Sequence, residues 1–362
     1  MHPRLSHGAS RAMSDDGNLR IKQHFSVIPH SPDVVELRWG IWNPISLTIT
    51  DETGSGLLYR LIRRLDGSVS ARTLAREENV ARSEVEGLID HLIQLGAIDH
   101  GPTNALDHYI DNYAPTMGAT AAVGHPATPH LLILGDASPA DEISRILEAS
   151  LPLSTITRVS PDDPAWRVLS DRDTSWLLDG IEFHQRLPVF EQWKGSFIIF
   201  ASRIMNPERY RVLNRISLAL DIPWLHAAID GPFLIIGPTV VPNRSACYEC
   251  LETRVLMNLR DSAGYQRYKK ALVEAELIQG SQPVLPPLFS LLASHVALEA
   301  LNFALTGGAF TVSKVLAIHI PTMEFAFNEV LRVPNCGACG SSPERDDQSL
   351  YFDLRAFFAS GG

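Results

Sequence analysis

Positive charge is scarce in this sequence: 31 Lys and Arg face 41 Asp and Glu, a formal net charge of −10. Nucleic acid and anionic membrane repel such a chain unless a local basic patch overrides the balance, so neither is expected as a general partner. Long apolar runs are lacking too. Nothing reaches the roughly 18 uncharged apolar residues of a membrane span, and Met1–Asp16 holds no apolar run of signal-peptide length. The expected location is therefore the cytoplasm. Cysteine is rarer still, with four in the chain, all within the pairs Cys247/Cys250 and Cys336/Cys339. In a reducing compartment two Cys-x-x-Cys pairs read as metal ligation before disulfides. No internal repeat is visible.

A chain of 362 residues that is 45 % apolar and 20 % charged is expected to fold as two soluble globular domains. Residues 1–20 lack periodicity and are expected to be a disordered tail. Phe25–Ile28, Val34–Trp39 and Ile45–Thr50 read as three short antiparallel strands, punctuated by Pro29, Pro32, Gly40 and Pro44. Leu57, Leu58, Leu61, Ile62 and Leu65 have helical spacing, and Gly67 stops that helix. Ser70 can cap a second helix with Leu74 inside, and Ser83 begins a third, carrying Val85, Leu88, Ile89, Leu92 and Leu95 up to Gly96. Three strands then three helices over residues 21–100 is the order of a winged helix.

Leu106–Tyr113 is a further helical piece within a Pro-, Gly- and Thr-rich linker, 101–130. From 131 to 345 the texture is that of an α/β domain, with a tail expected at 346–362. Leu131–Leu134, Phe197–Phe200, Trp224–Ala228 and Phe233–Ile236 are strand-like, and Ala140–Ala149, Pro207–Leu220 and Val284–Leu305 are helical. That alternation predicts a mainly parallel, Rossmann-type sheet covered on both faces.

Cys247, Cys250, Cys336 and Cys339 together offer four thiolates, a set that suits tetrahedral Zn²⁺. Turn residues surround both pairs: Pro242 and Asn243 before the first, Pro334, Asn335, Gly337 and Gly340 about the second. A closed four-sulfur site leaves no coordination position for substrate, so the expected zinc is structural.

The stretches Ile222-Pro-Trp-Leu-His-Ala-Ala, Ile236-Gly-Pro-Thr-Val-Val-Pro-Asn-Arg-Ser-Ala-Cys-Tyr-Glu-Cys-Leu and Arg332-Val-Pro-Asn-Cys-Gly-Ala-Cys-Gly resemble the E1-like (ThiF/MoeB-type) superfamily. The resemblance is nearest to the ocin-ThiF-like branch of azole- and azoline-forming (TOMM, thiopeptide) peptide biosynthesis, and it covers residues 20–340. It implies an N-terminal PqqD-like winged helix acting as a RiPP recognition element for the leader of a precursor peptide. It further implies that the second domain docks a YcaO-type, ATP-dependent cyclodehydratase, and it leaves room for a homodimer through the E1-like domain.

Active members adenylate a carboxylate and need a glycine-rich turn after the first strand, so that backbone amides can approach phosphate. Here that turn is Leu134-Gly135-Asp136-Ala137-Ser138-Pro139, with one glycine, an anionic Asp and a proline lacking its N–H. Aligning on Asn214 puts Met205-Asn206 where the superfamily holds Mg²⁺·ATP with an Asp, and a thioether is no ligand for a hard cation. The Asn-Leu-x-Arg-Gln segment and a spare catalytic cysteine are missing as well. ATP is thus not expected as a cofactor, and the domain is expected to be catalytically silent.

DNA binding by the winged helix is disfavoured, because the third helix sets Arg82 against Glu84, Glu86 and Asp90, and residues 21–100 hold 8 Lys and Arg against 11 Asp and Glu. The other use of this shape is to accept an extended peptide on the sheet edge. The resemblance implies a groove of Ile45, Ser46, Leu47, Thr48, Ile49 and Thr50 with Arg82, Val85, Glu86 and Ile89 of the third helix. His91, His226, His295 and His319 read as structural histidines, and Arg60, Arg63 and Arg64 and the run Tyr265–Lys270 as solvated or partner-facing surfaces. Two other functions stay open: an E1-like ATP-dependent enzyme adenylating its own bound peptide, and a zinc-stabilised transcription regulator.

Overall fold

The computed structural model describes residues 19–99, 104–113, 129–151, 155–274, 277–278, 280 and 283–340. The tails expected at 1–20 and 346–362 and the linker at 101–130 lie wholly or largely outside these residues. The chain divides into two compact units, Met1–His108 and Tyr109–Gly362.

In the first unit β1 (Arg20–Ile21) pairs with β5 (Ile98–Asp99), closing the two ends of the unit on each other. Between them β2 (Ser26–Ser31), β3 (Val34–Trp39) and β4 (Ile45–Thr50) form an antiparallel sheet in the order β2-β3-β4, which leaves β4 an edge strand. Helices α1 (Leu58–Arg63), α2 (Ala71–Glu78) and α3 (Arg82–Gln94) follow. Ser70 caps α2 by accepting from the Thr73 amide, as its position implied, whereas α3 starts at Arg82 without a side-chain cap. Side chains alternate across the strands, so Val35, Leu37 and Ile49 turn inward to meet Leu61, Ile62, Leu74, Val85, Ile89 and Leu92 of the helices. The basic cluster is not merely solvated: Arg60 reaches Glu78 and Arg64 reaches Glu77, both at 2.6 Å, tying α1 to α2.

The helix α4 (Ala105–Asn112) spans the division between the units. The second unit is built on a seven-stranded sheet in the order β12-β11-β10-β9-β8-β6-β7. The expected parallel sheet is the half made of β7 (Ile156–Arg158), β6 (His130–Gly135), β8 (Ser196–Ser202) and β9 (Trp224–Asp230). Hairpins extend it with antiparallel β10 (Phe233–Val240), β11 (Lys314–His319) and β12 (Glu324–Glu329). Strands β6 and β8 are apolar along their centres, Leu131–Leu134 and Phe197–Ala201, because helices lie on both faces. Phe197 stacks on Phe303 of α11 (Pro286–Thr306) on one face, and Phe200 meets Tyr210 of α8 (Pro207–Leu220) on the other. α5 (Ala137–Ser150) packs beside α11; α6 (Pro164–Ser170) and α9 (Tyr248–Asn258) pack beside α8. The remaining helices are α7 (Gly180–Arg186) and α10 (Ser262–Val273).

α11 is long and apolar enough to cross a membrane by length and composition alone. Its Leu292, Val296, Ala300 and Phe303 are buried in this fold, and its buried Glu299 accepts from the Thr311 amide and hydroxyl.

Candidate metal centre

The first cysteine pair is placed by a turn and a helix start. Ser245 folds back on Val241, accepting from its amide at 2.7 Å, and Asn243 takes the left-handed conformation at φ 61°. Cys247 becomes the N-cap of α9, so Cys250 follows one turn later on the same side. The second pair lies in a hairpin where the Cys336 amide donates to Val333 O at 3.0 Å and the Gly340 amide to Cys336 O at 2.9 Å. Only glycine fits at 340, since a Cβ there would lie 2.5 Å from Cys336 O. Arg332 binds the hairpins together, donating to Asn243 O at 3.2 Å and to Cys339 O at 2.7 Å.

All four sulfurs lie within 4.8 Å of one another, with Sγ–Sγ separations of 3.8 Å (Cys247–Cys250), 3.7 Å (Cys247–Cys336) and 3.4 Å (Cys250–Cys339). A tetrahedron with metal–sulfur bonds of ~2.3 Å has edges of about 3.8 Å, so the donor set fits one ion. Burial pushes the Cys247 thiol far up and the Cys250 thiol to about 11. At Cys336 burial acts in the same sense, but the Cys339 and Ala338 amides prevail and lower it. A divalent cation is what turns such buried thiols into thiolates at neutral pH. The Val333 amide aimed at Cys250 Sγ at 3.3 Å would stabilise that charge. Arg215, held by Glu249 at 2.5 and 2.8 Å, stands against Gly337 of the second hairpin.

The turn after β6 packs tightly against β8. Gly135 has φ +115°, and a Cβ on it would lie 1.8 Å from Ala201 O, so the turn sits directly on β8. Asp136 does not cap α5; its carboxylate accepts from the Arg203 amide at 2.7 Å, and its own amide donates to Ala201 O at 3.0 Å. Met205 packs against the core. Asn206 caps α8, and buried Asn214 accepts from the Tyr248 amide at 2.9 Å, which seats the cysteine-bearing helix. Both asparagines therefore have structural partners.

The four cysteines are thus brought together. Of the residues expected to line a peptide groove, Ser46, Thr48 and Thr50 are exposed on β4, Ile45 is 58 % exposed, Leu47 is half-buried and Ile49 buried. Val85 and Ile89 are buried in the core of the first unit, and Arg82 and Glu86 pair with each other at 2.6 Å. Among the histidines, His226 is buried and donates from Nδ1 to Gly237 O at 2.8 Å, and burial lowers its pKa to about 4. The run Tyr265–Lys270 is only partly a solvated surface. Lys269 turns inward, meeting Glu252 at 2.8 Å and Glu208 at 3.1 Å, and Tyr265 donates to Glu252 at 2.7 Å. Identity alone could not separate Lys269 from exposed Lys270, because the acids that draw it in lie on α8 and α9.

No protein-family model matches the chain, and no curated protein matches it. Solved structures do. The chain is similar to the heterocyclase TruD, with a TM-score of 0.61 and 17 % identity over 89 % of this chain and 42 % of that one. It is similar to a heterocyclase solved in complex with substrate and cofactor, with a TM-score of 0.61 and 12 % identity over 89 % of this chain and 39 % of that one. It is also similar to E. coli MccB solved with AMPCPP and MccA, with a TM-score of 0.52 and 13 % identity over 89 % of this chain and 99 % of that one. At such identities the likeness is one of fold. The chain spans about two fifths of the length of the heterocyclases it matches.

Proposed function

We propose that the protein is an accessory subunit of RiPP biosynthesis that binds a precursor's leader peptide and presents it to a YcaO-type cyclodehydratase forming thiazolines or oxazolines. The first unit acts as a PqqD-like winged-helix recognition element, and the second as an E1-like partner domain closed by one structural Zn²⁺ on Cys247, Cys250, Cys336 and Cys339. The observation that carries the reading is the position of β4 at the edge of its sheet among the described residues, with exposed Ser46, Thr48 and Thr50, in a chain similar in fold to part of a heterocyclase. An extended leader adds there as a strand, flanked by Arg82 and Glu86 of α3, while Val85 and Ile89, buried in the core of the first unit, hold α3 in place. Tethering the leader makes attack on a weakly bound core effectively intramolecular. In a reconstituted reaction, omitting the protein should therefore raise the precursor concentration needed for half-maximal ring formation far more than it lowers the saturated rate. Equal loss at saturating precursor would contradict this role.

A second reading is an adenylating enzyme, favoured by the match to nearly all of MccB, which was solved with AMPCPP. The single glycine of the turn at Gly135, the Asp136 carboxylate engaged by the Arg203 amide and the thioether of Met205 argue against it. Precursor-dependent ATP–pyrophosphate exchange would establish that reading and displace the first.

A further inference from the structure

Glu249 stands inside the first cysteine pair, between Cys247 and Cys250, and Gly337 stands inside the second, directly after Cys336. Arg215 on α8 reaches both. Its Nε and Nη2 donate to the two Glu249 carboxylate oxygens at 2.5 and 2.8 Å. The same Nη2 lies so near Gly337 that a Cβ on that glycine would come within 3.5 Å of it. The pair is largely withdrawn from water, with the Arg215 side chain 28 % and the Glu249 side chain 15 % exposed, so its charges are screened less than surface charges are. Burial alone would disfavour charge on Arg215, but Glu249 and the Cys336 and Cys247 sulfurs, as thiolates, prevail and raise its pKa.

Four thiolates around one divalent ion leave a dianion, and the Glu249 carboxylate beside them adds a third negative charge. The exposed Arg332 guanidinium donates to the Asn243 and Cys339 carbonyls and so joins the two hairpins through their backbones. Arg215 has no such backbone task; it meets the carboxylate within one pair and the glycine within the other. We propose that Arg215 is the outer cation of the metal centre, which offsets Glu249 and the thiolates and thereby sets how tightly zinc is held. This inference rests on the zinc reading above and is independent of the peptide-binding reading.

The test is zinc affinity by chelator competition on the full chain and its variants. Arg215→Gln leaves Glu249 beside the thiolates without its counter-charge and should weaken zinc binding by about 10–100-fold. Arg215→Lys should bind more tightly than Arg215→Gln, because the charge remains although the planar fork is lost. Arg215→Gln combined with Glu249→Gln removes the negative charge together with the positive one and should recover most of the lost affinity. Were the pair only a mechanical tie between α8 and α9, the double variant would bind zinc as weakly as Arg215→Gln. The visible absorption of Co²⁺-loaded protein should be the same in parent and variants, marking an unchanged four-sulfur set. Parental affinity in Arg215→Gln, no recovery in the double variant, or a Co²⁺ spectrum altered by Arg215→Gln overturns the proposal. A parent chain that holds no metal overturns the zinc reading itself, and this inference with it.

Discussion

Cys336 and Cys339 can face Cys247 and Cys250 only because residue 340 has no Cβ and Arg332 holds the two hairpins by their carbonyls. The account predicts close to one zinc per chain in purified protein, released when any of the four cysteines becomes Ser. Release should remove folding free energy on the order of several kcal/mol, read from chemical denaturation. Gly340→Ala keeps all four ligands yet should weaken zinc affinity by about 10–100-fold in a chelator competition; unchanged affinity would show that the hairpin geometry does not set the site. His226 supplies a pH dependence. Its folded pKa is depressed from 6.5 to about 4, so its contribution is complete above pH 6.5 and is lost as pH falls toward 4. The full loss is about 3 kcal/mol. Denaturation curves between pH 7 and 4.5 should therefore converge for the parent and His226→Gln.

The elements divide by how local their causes are. α8 was legible to the residue as Pro207–Leu220, since Asn206 and Pro207 signal its start, and β3 and β4 were legible from their alternation. The cysteine spacing marked the metal site, but nothing local marked what seats it: Asn214 looks like any helix asparagine until Tyr248 is placed opposite it. Strands β11 and β12 are not apparent from the sequence: Val315–Ile318 is only a four-residue apolar run, and β12 is exposed throughout, so no buried alternation marks it. Asn214→Ala should leave the Tyr248 amide buried without a partner, costing about 1–3 kcal/mol. If the denaturation midpoint of that variant does not move, the contact is not what positions α9.

At the scale of the whole molecule, the first unit has β4 at a sheet edge among the described residues, and the second carries a metal-suited cysteine cluster and a turn after β6 that packs on β8 and holds Asp136 on the Arg203 amide. The proposed function assigns recognition to the first unit and presentation to the second, with the chemistry on a separate enzyme. The most direct measurement is fluorescence anisotropy of a labelled leader peptide from a candidate azoline-forming precursor, titrated with the full chain and its variants. Strand addition rests on backbone hydrogen bonds, so Ser46→Ala and Thr50→Ala should change affinity less than about threefold, whereas Thr48→Pro, which disrupts the edge, should weaken it by more than about thirtyfold. Circular dichroism must show each variant folded. Saturable binding with that ordering is the predicted result; a leader that does not bind, or that binds Thr48→Pro as tightly as the parent, contradicts the account.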